Sequence, residues 1–146
     1  MSNRCEAAIC DTHVDTAIGS IWNTLGDGRP FPTVEADSSL FTVRHEYDRP
    51  SFRVSPGDLR IERAALAAAL QCLIEGGHDE DRPYALLDRG RDSGMLGQAV
   101  RDHNGGTECL NHVLGILFAC HFIGMNSTGH GTQVWLTHAF LHGAAG

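Results

Sequence analysis

Residues 131–143 read GTQVWLTHAFLHG, and the way this stretch folds decides the class of the whole chain. Thr132, Val134 and Trp135 suit a pleated strand. Trp135, His138, Ala139 and His142, however, fall at i, i+3, i+4 and i+7, one face of a helix. Read as a helix, the stretch follows another. Thr107 can cap a segment running from Glu108 to about Gly124 that is apolar on nearly every face, within the strongest apolar region of the chain, Val113 to Met125. The expectation is a buried central helix with a further helix behind it.

Upstream, Ser55-Pro56-Gly57-Asp58 has the form of a helix start, with Ser at the cap and Pro at the first position. The helix would run through LRIERAALAAALQCLIE to Gly76-Gly77, and its alanine-rich centre would allow close approach of a neighbour. Before it, Leu40 to Tyr47 alternates, with Phe41, Val43, His45 and Tyr47 on one face. Phe52-Arg53-Val54 resumes the alternation after Asp48-Arg49-Pro50, predicting a short antiparallel hairpin. Val14, Ala17, Ile18, Ile21, Trp22 and Leu25 keep helical spacing up to Gly26, with Thr12 and Asp15 as a capping pair. Met95 to His103 has helical character, and His78 to Asp92 reads as a charged, mobile loop with one helical turn at Pro83 to Leu87. The sum is an α+β fold: a mostly helical single domain spanning 1–146, with one small antiparallel β-hairpin packed on a buried central helix.

Composition narrows the function classes. The chain has 146 residues, 42% of them hydrophobic, enough for one core and too few for a large barrel. Eighteen acidic against eleven basic residues leave a formal charge of −7, which disfavours direct contact with a phosphate backbone. No apolar run has the length of a membrane span, and MSNRCEAAIC lacks the apolar core of a secretory signal, so a soluble, cytoplasmic protein is expected. Five cysteines cannot all pair within one chain, which points to reduced thiols.

Chemistry-bearing side chains gather in four places. CDTHVDT, residues 10–16, places a thiol, two carboxylates and an imidazole together. It resembles the short Asp-x-His-x-Asp metal-binding stretch of the renal dipeptidase family, but that family's barrel needs roughly 250 residues, and its function is not carried over. His138 and His142 on a helix would lie about 6 Å apart along the axis, able to hold two corners of a zinc site. On a strand they would be roughly 13 Å apart, too far for one ion. Cys109 and His112 can touch on a helix, though packing is the better reading for a mid-helix cysteine. The acidic run at Asp79, Glu80 and Asp81 suits a solvated loop or a basic protein surface.

Two functions of different class follow. The first is a non-enzymatic binding or regulatory module: a small acidic protein, an inhibitor by occlusion, that covers a surface of a larger partner through Asp79, Glu80 and Asp81. A basic, nucleic-acid-binding partner fits the charge. The alternative is a small zinc-dependent hydrolase using His138 and His142, with a third ligand from His130, or from His13 and Asp15, and a metal-bound water as nucleophile.

Overall fold

A computed structural model describes residues 13–22, 24–25, 29–33, 40–46, 49–86, 94–128 and 131–143. Helix α1 spans 13–22 and buries Val14 and Ile18, with Leu25 just beyond it, as the spacing predicts. Its capping partner Thr12, and Gly26, lie outside the described residues. The alternation at residue 40 becomes β2 (Leu40–His45), which pairs with β3 (Ser51–Ser55) in the predicted hairpin, Val43 facing Val54 and His45 facing Phe52. Trp22 of α1 lies on this sheet, its ring centroid 4.4 Å from that of Phe52.

The hairpin is larger than expected. β1 (Phe31–Pro32) adds to one side and β4 (Arg60–Glu62) to the other, giving a four-stranded antiparallel sheet in the order β1-β2-β3-β4. The Ser55-Pro56-Gly57-Asp58 stretch is therefore a turn and not a helix start. Gly57 sits at φ 103°, outside any helix, and the Val54 N–H donates to the Leu59 carbonyl across the turn. Beside it, Arg53 bonds the Asp58 carboxylate, and Arg60 reaches Glu46 at 2.6 Å. Helix α2 (Arg63–Glu75) begins only after β4. It ends with Gly77 in the left-handed conformation, the Gly77 and His78 N–H groups bonding back to Ile74 and Leu73.

The charged loop after α2 is partly a strand. Instead of a helical turn at Pro83 to Leu87, β5 (Tyr84–Ala85) pairs antiparallel with residues near the C-terminus. Next come α3 (Met95–Asp102) and α4 (Leu110–Ala119). The predicted long helix to Gly124 stops five residues early. His121 adopts φ 65° and does the work of a terminal glycine: its N–H bonds Phe118, and the Phe122 N–H bonds Leu117. The apolar run then continues as β6 (Ile123–Thr128).

GTQVWLTHAFLHG is both structures in turn. Residues 131–136 form β7 (Gly131–Leu136), and 138–143 form α5 (His138–Gly143). Thr137 separates them: its hydroxyl donates to the His121 carbonyl at 2.7 Å and accepts from the Phe140 N–H at 3.1 Å, capping α5. Trp135 therefore belongs to the strand, directly opposite Gly124. A Cβ at Gly124 would come within 2.6 Å of three indole atoms, so the ring needs that glycine.

A mostly helical domain with one small hairpin is thus incorrect. The chain is mixed, with a four-stranded sheet and a three-stranded sheet of order β5-β7-β6. The error comes from non-local pairing: β1, β4 and β5 are each two or three residues long and carry almost no pattern of their own. From α2 onward the order is helix, strand, helix, helix, strand, strand, with the last strand central in its sheet. This order is similar to the connectivity of a winged helix, with α3 and α4 standing where its helix-turn-helix pair would, though seven residues and not a short turn join them.

Candidate functional site

In a DNA-reading helix-turn-helix the second helix is free to enter the major groove. Here that helix is α4, and it is internal. Leu110, Val113, Leu114, Gly115, Ile116 and Leu117 are all buried. Gly115 lies against the Pro32 carbonyl of β1, so close that no side chain fits between them. His112 packs edge-on to Phe41 of β2 at 4.7 Å. β1 and β2 of the N-terminal sheet cover this side of α4.

Charge agrees with this. All eleven basic residues are arginines, and α4 contains none. Arg49, Arg53, Arg60, Arg63 and Arg101 each stand within 3.4 Å of a carboxylate, on Glu62, Glu46 or Asp58, Glu46, Asp15 and Glu108 respectively. Glu46 is the hub: the Arg60 guanidinium, the Ser51 hydroxyl at 2.6 Å and Arg53 hold its carboxyl down at about 2. Asn104, buried in the turn between α3 and α4, ties the two halves together. Its amide oxygen accepts from the Glu62 N–H at 2.7 Å, and its NH₂ donates to the Arg60 and Thr107 carbonyls.

An open apolar groove of about 540 Å³ lies between α1, α2 and α3. Its floor is the outer face of α2, with Ala64, Ala67 and Ala68 followed by Gln71 and Glu75. Met95 and Ala99 of α3 form one wall, and Val14 and Asp15 of α1 form the other. The alanine-rich centre of α2 was the sequence signal for it. What the sequence did not reveal is that this face, with Ala64 exposed and Ala67 and Ala68 half-buried, borders an open groove among the described residues.

The expected metal ligands divide. His138 and His142 share the exposed side of α5, their ring centroids 4.2 Å apart. His13 stacks at 4.5 Å on Phe140, which is two residues from each histidine and hence roughly 200° around the helix from them. Asp15 faces Arg63 across 3.4 Å. His130 lies outside the described residues. Among the described residues, no three His, Cys, Asp or Glu side chains converge as a metal site.

The acidic run is a tight turn. Asp79 accepts from the Asp81 and Arg82 N–H groups at 3.0 and 3.1 Å, leaving Glu80 and Asp81 exposed. Among the described residues, Cys109 and His112 are not brought together as a side-chain pair: His112 packs on Phe41. Cys109 is buried at the start of α4, and burial, with the Glu108 carboxylate beside it, pushes its thiol up to about 12. Cys120 is raised by burial as well, against the pull of Arg29.

The described residues define a mixed helix-and-sheet fold in which α4 is buried under the N-terminal sheet and α2 borders an apolar groove. No family model, curated protein or solved structure matches the chain. No helix among the described residues is long and apolar enough to cross a membrane.

Proposed function

We propose that the protein is a non-enzymatic binding module that acts by covering a surface of a larger protein, with a basic, nucleic-acid-binding surface as its target. The observation that supports this reading is the burial of α4 under β1 and β2, which closes that helix to a DNA major groove. The −7 charge favours encounter with a basic surface. Native mass spectrometry of the protein from its own source tests it, alongside anisotropy on duplex DNA at low salt. A stoichiometric protein partner without DNA binding is expected. DNA affinity that falls steeply with salt, or a chain that carries no partner, refutes it.

One observation favours the hydrolase alternative: the exposed imidazoles of His138 and His142, 4.2 Å apart, have the spacing of two zinc ligands on a helix. That function needs a third protein ligand. Stoichiometric zinc in the purified protein that disappears on His138→Ala would replace the binding-module reading.

A further inference from the structure

The three-stranded sheet has an open edge at β6, and its backbone bonds show which groups lie along it. The Leu136 N–H donates to the His78 carbonyl and the Leu86 N–H to the Thr132 carbonyl, whereas the Thr137 N–H donates to the Phe122 carbonyl. Alternate residues of β7 thus face β5 and β6, and Gln133 and Trp135 belong to the β6 side. Their partners Asn126 and Gly124 turn their N–H and C=O groups to β7, so Ile123, Met125 and Ser127 turn theirs away. Ile123 is buried where β6 leaves α4. On the outward side, the Met125 and Ser127 backbone groups bond to no described residue, and Asn126 between them is exposed.

Open edges are ordinarily blunted by charged side chains, proline or a bulge. β6 has none of these: its sequence is IGMNST, and it pairs with β7 one residue to one from Ile123 to Thr128. The outer face beside it is uncharged as well. Ala85, Gln133 and Asn126 form one row across the sheet, and the Trp135 indole lies over Gly124, which has no side chain to screen the ring from the edge. Such an edge offers a basic partner nothing to pair with. It does suit a second copy of this chain, which carries a charge of −7 and is repelled wherever its acidic surface meets its like.

We infer that β6 is a self-association edge: two copies pair antiparallel through it, about a two-fold axis at Asn126, and join their three-stranded sheets into one. In this register the Met125 N–H and C=O of each copy bond to Ser127 of the other, and the two Asn126 side chains stand directly opposite. So few backbone bonds make a weak dimer whose population follows protein concentration. The pairing leaves α2, α3 and the acidic turn free, and it does not depend on the identity of any other partner.

Sedimentation velocity of the full chain over a concentration series, with amide hydrogen exchange on the same samples, tests this. A monomer–dimer equilibrium that strengthens with salt is expected, because screening weakens the repulsion between like-charged copies. The Met125 and Ser127 amides should exchange fast in dilute solution and become protected on dimerisation, while the Asn126 amide, bonded across to Gln133, stays protected throughout. Met125→Pro removes an N–H that makes no bond within the sheet, so β6 should stay paired with β7 while the dimer weakens roughly tenfold or more. Asn126→Asp, close in shape and exposed, keeps the fold and opposes two carboxylates at the axis. It should weaken the dimer several-fold at low salt and less at high salt. A chain that stays monomeric at every concentration, Met125 protection already complete in the dilute monomer, or a dimer that survives both substitutions unchanged each overturns the assignment. A monomeric chain with a stable protein partner overturns the edge alone and leaves the binding-module reading standing.

Discussion

Gly115→Ala is the sharpest test of the internal position of α4, because the sign of its effect depends on that position. In an exposed helix, replacing glycine by alanine stabilises by about 1 kcal/mol, since alanine loses less conformational freedom on folding. In this chain the added Cβ would fall deep inside the Pro32 carbonyl oxygen, 3.0 Å from the Pro32 carbonyl carbon and 3.5 Å from a ring carbon of Phe41. The obstacle is backbone that pairs with β2 through Pro32 and Leu40, so it cannot rotate away as a side chain would. Forcing volume into such a contact costs roughly 1–3 kcal/mol or more, and after the gain in helix propensity a net loss of about 1–2 kcal/mol is expected. For a chain of this length that lowers the melting temperature by roughly 3–8 °C. Urea melts followed by circular dichroism measure it, with the midpoint falling at an unchanged m-value. A variant as stable as the parent, or more stable, would refute the docking of β1 on α4 and with it the main argument against DNA reading.

Asn104→Ala should cost roughly 1–3 kcal/mol, because it removes the partner of the part-buried Glu62 N–H and of the Arg60 and Thr107 carbonyls. Asn104→Asp, which keeps the acceptor but sets a carboxylate oxygen against the Arg60 and Thr107 carbonyls, should also destabilise, and an alanine variant with an unchanged urea midpoint would contradict this. His121→Gly should stabilise by ~0.5–1 kcal/mol, since His121 holds a left-handed conformation that glycine adopts without steric cost; a fall in melting temperature would show that the imidazole itself is needed. Glu46 titrates at about 2 in the folded chain against 4.5 as its ordinary value, so its contribution is complete above 4.5 and disappears as pH falls toward 2. The melting-temperature gap between the parent and Glu46→Gln should therefore be constant near neutral pH and close between about pH 5 and pH 2, and a gap independent of pH would rule out this linkage.

The parts legible in the sequence were those whose pattern is local. The alternation of Phe41, Val43 and His45, and the helical spacing of Val14, Ile18 and Leu25, each reflect one element facing one core. The boundary between α4 and β6 was hidden because a histidine takes the position where a glycine would have announced it. Ser55-Pro56-Gly57-Asp58 misled for the opposite reason, since residues that begin helices also make tight turns, and only the pairing of Arg60–Glu62 with β3 distinguishes the two. Of the candidate site, the histidine pair lies on a helix as expected, whereas Thr132, Val134 and Trp135 before it follow the strand reading instead of the helical one. The groove was half visible, as alanines whose neighbour could not be named.

Asn104 gives the molecule a mechanical property as well as three hydrogen bonds. The strand that ends the N-terminal meander and the turn that separates α3 from α4 close on the same amide, so neither can open while the other remains shut. Native-state hydrogen exchange should then find the Glu62 amide among the slowest in the chain, exchanging only by complete unfolding. A protein fastened in this way would present β4 and the α3–α4 turn to any target as one piece.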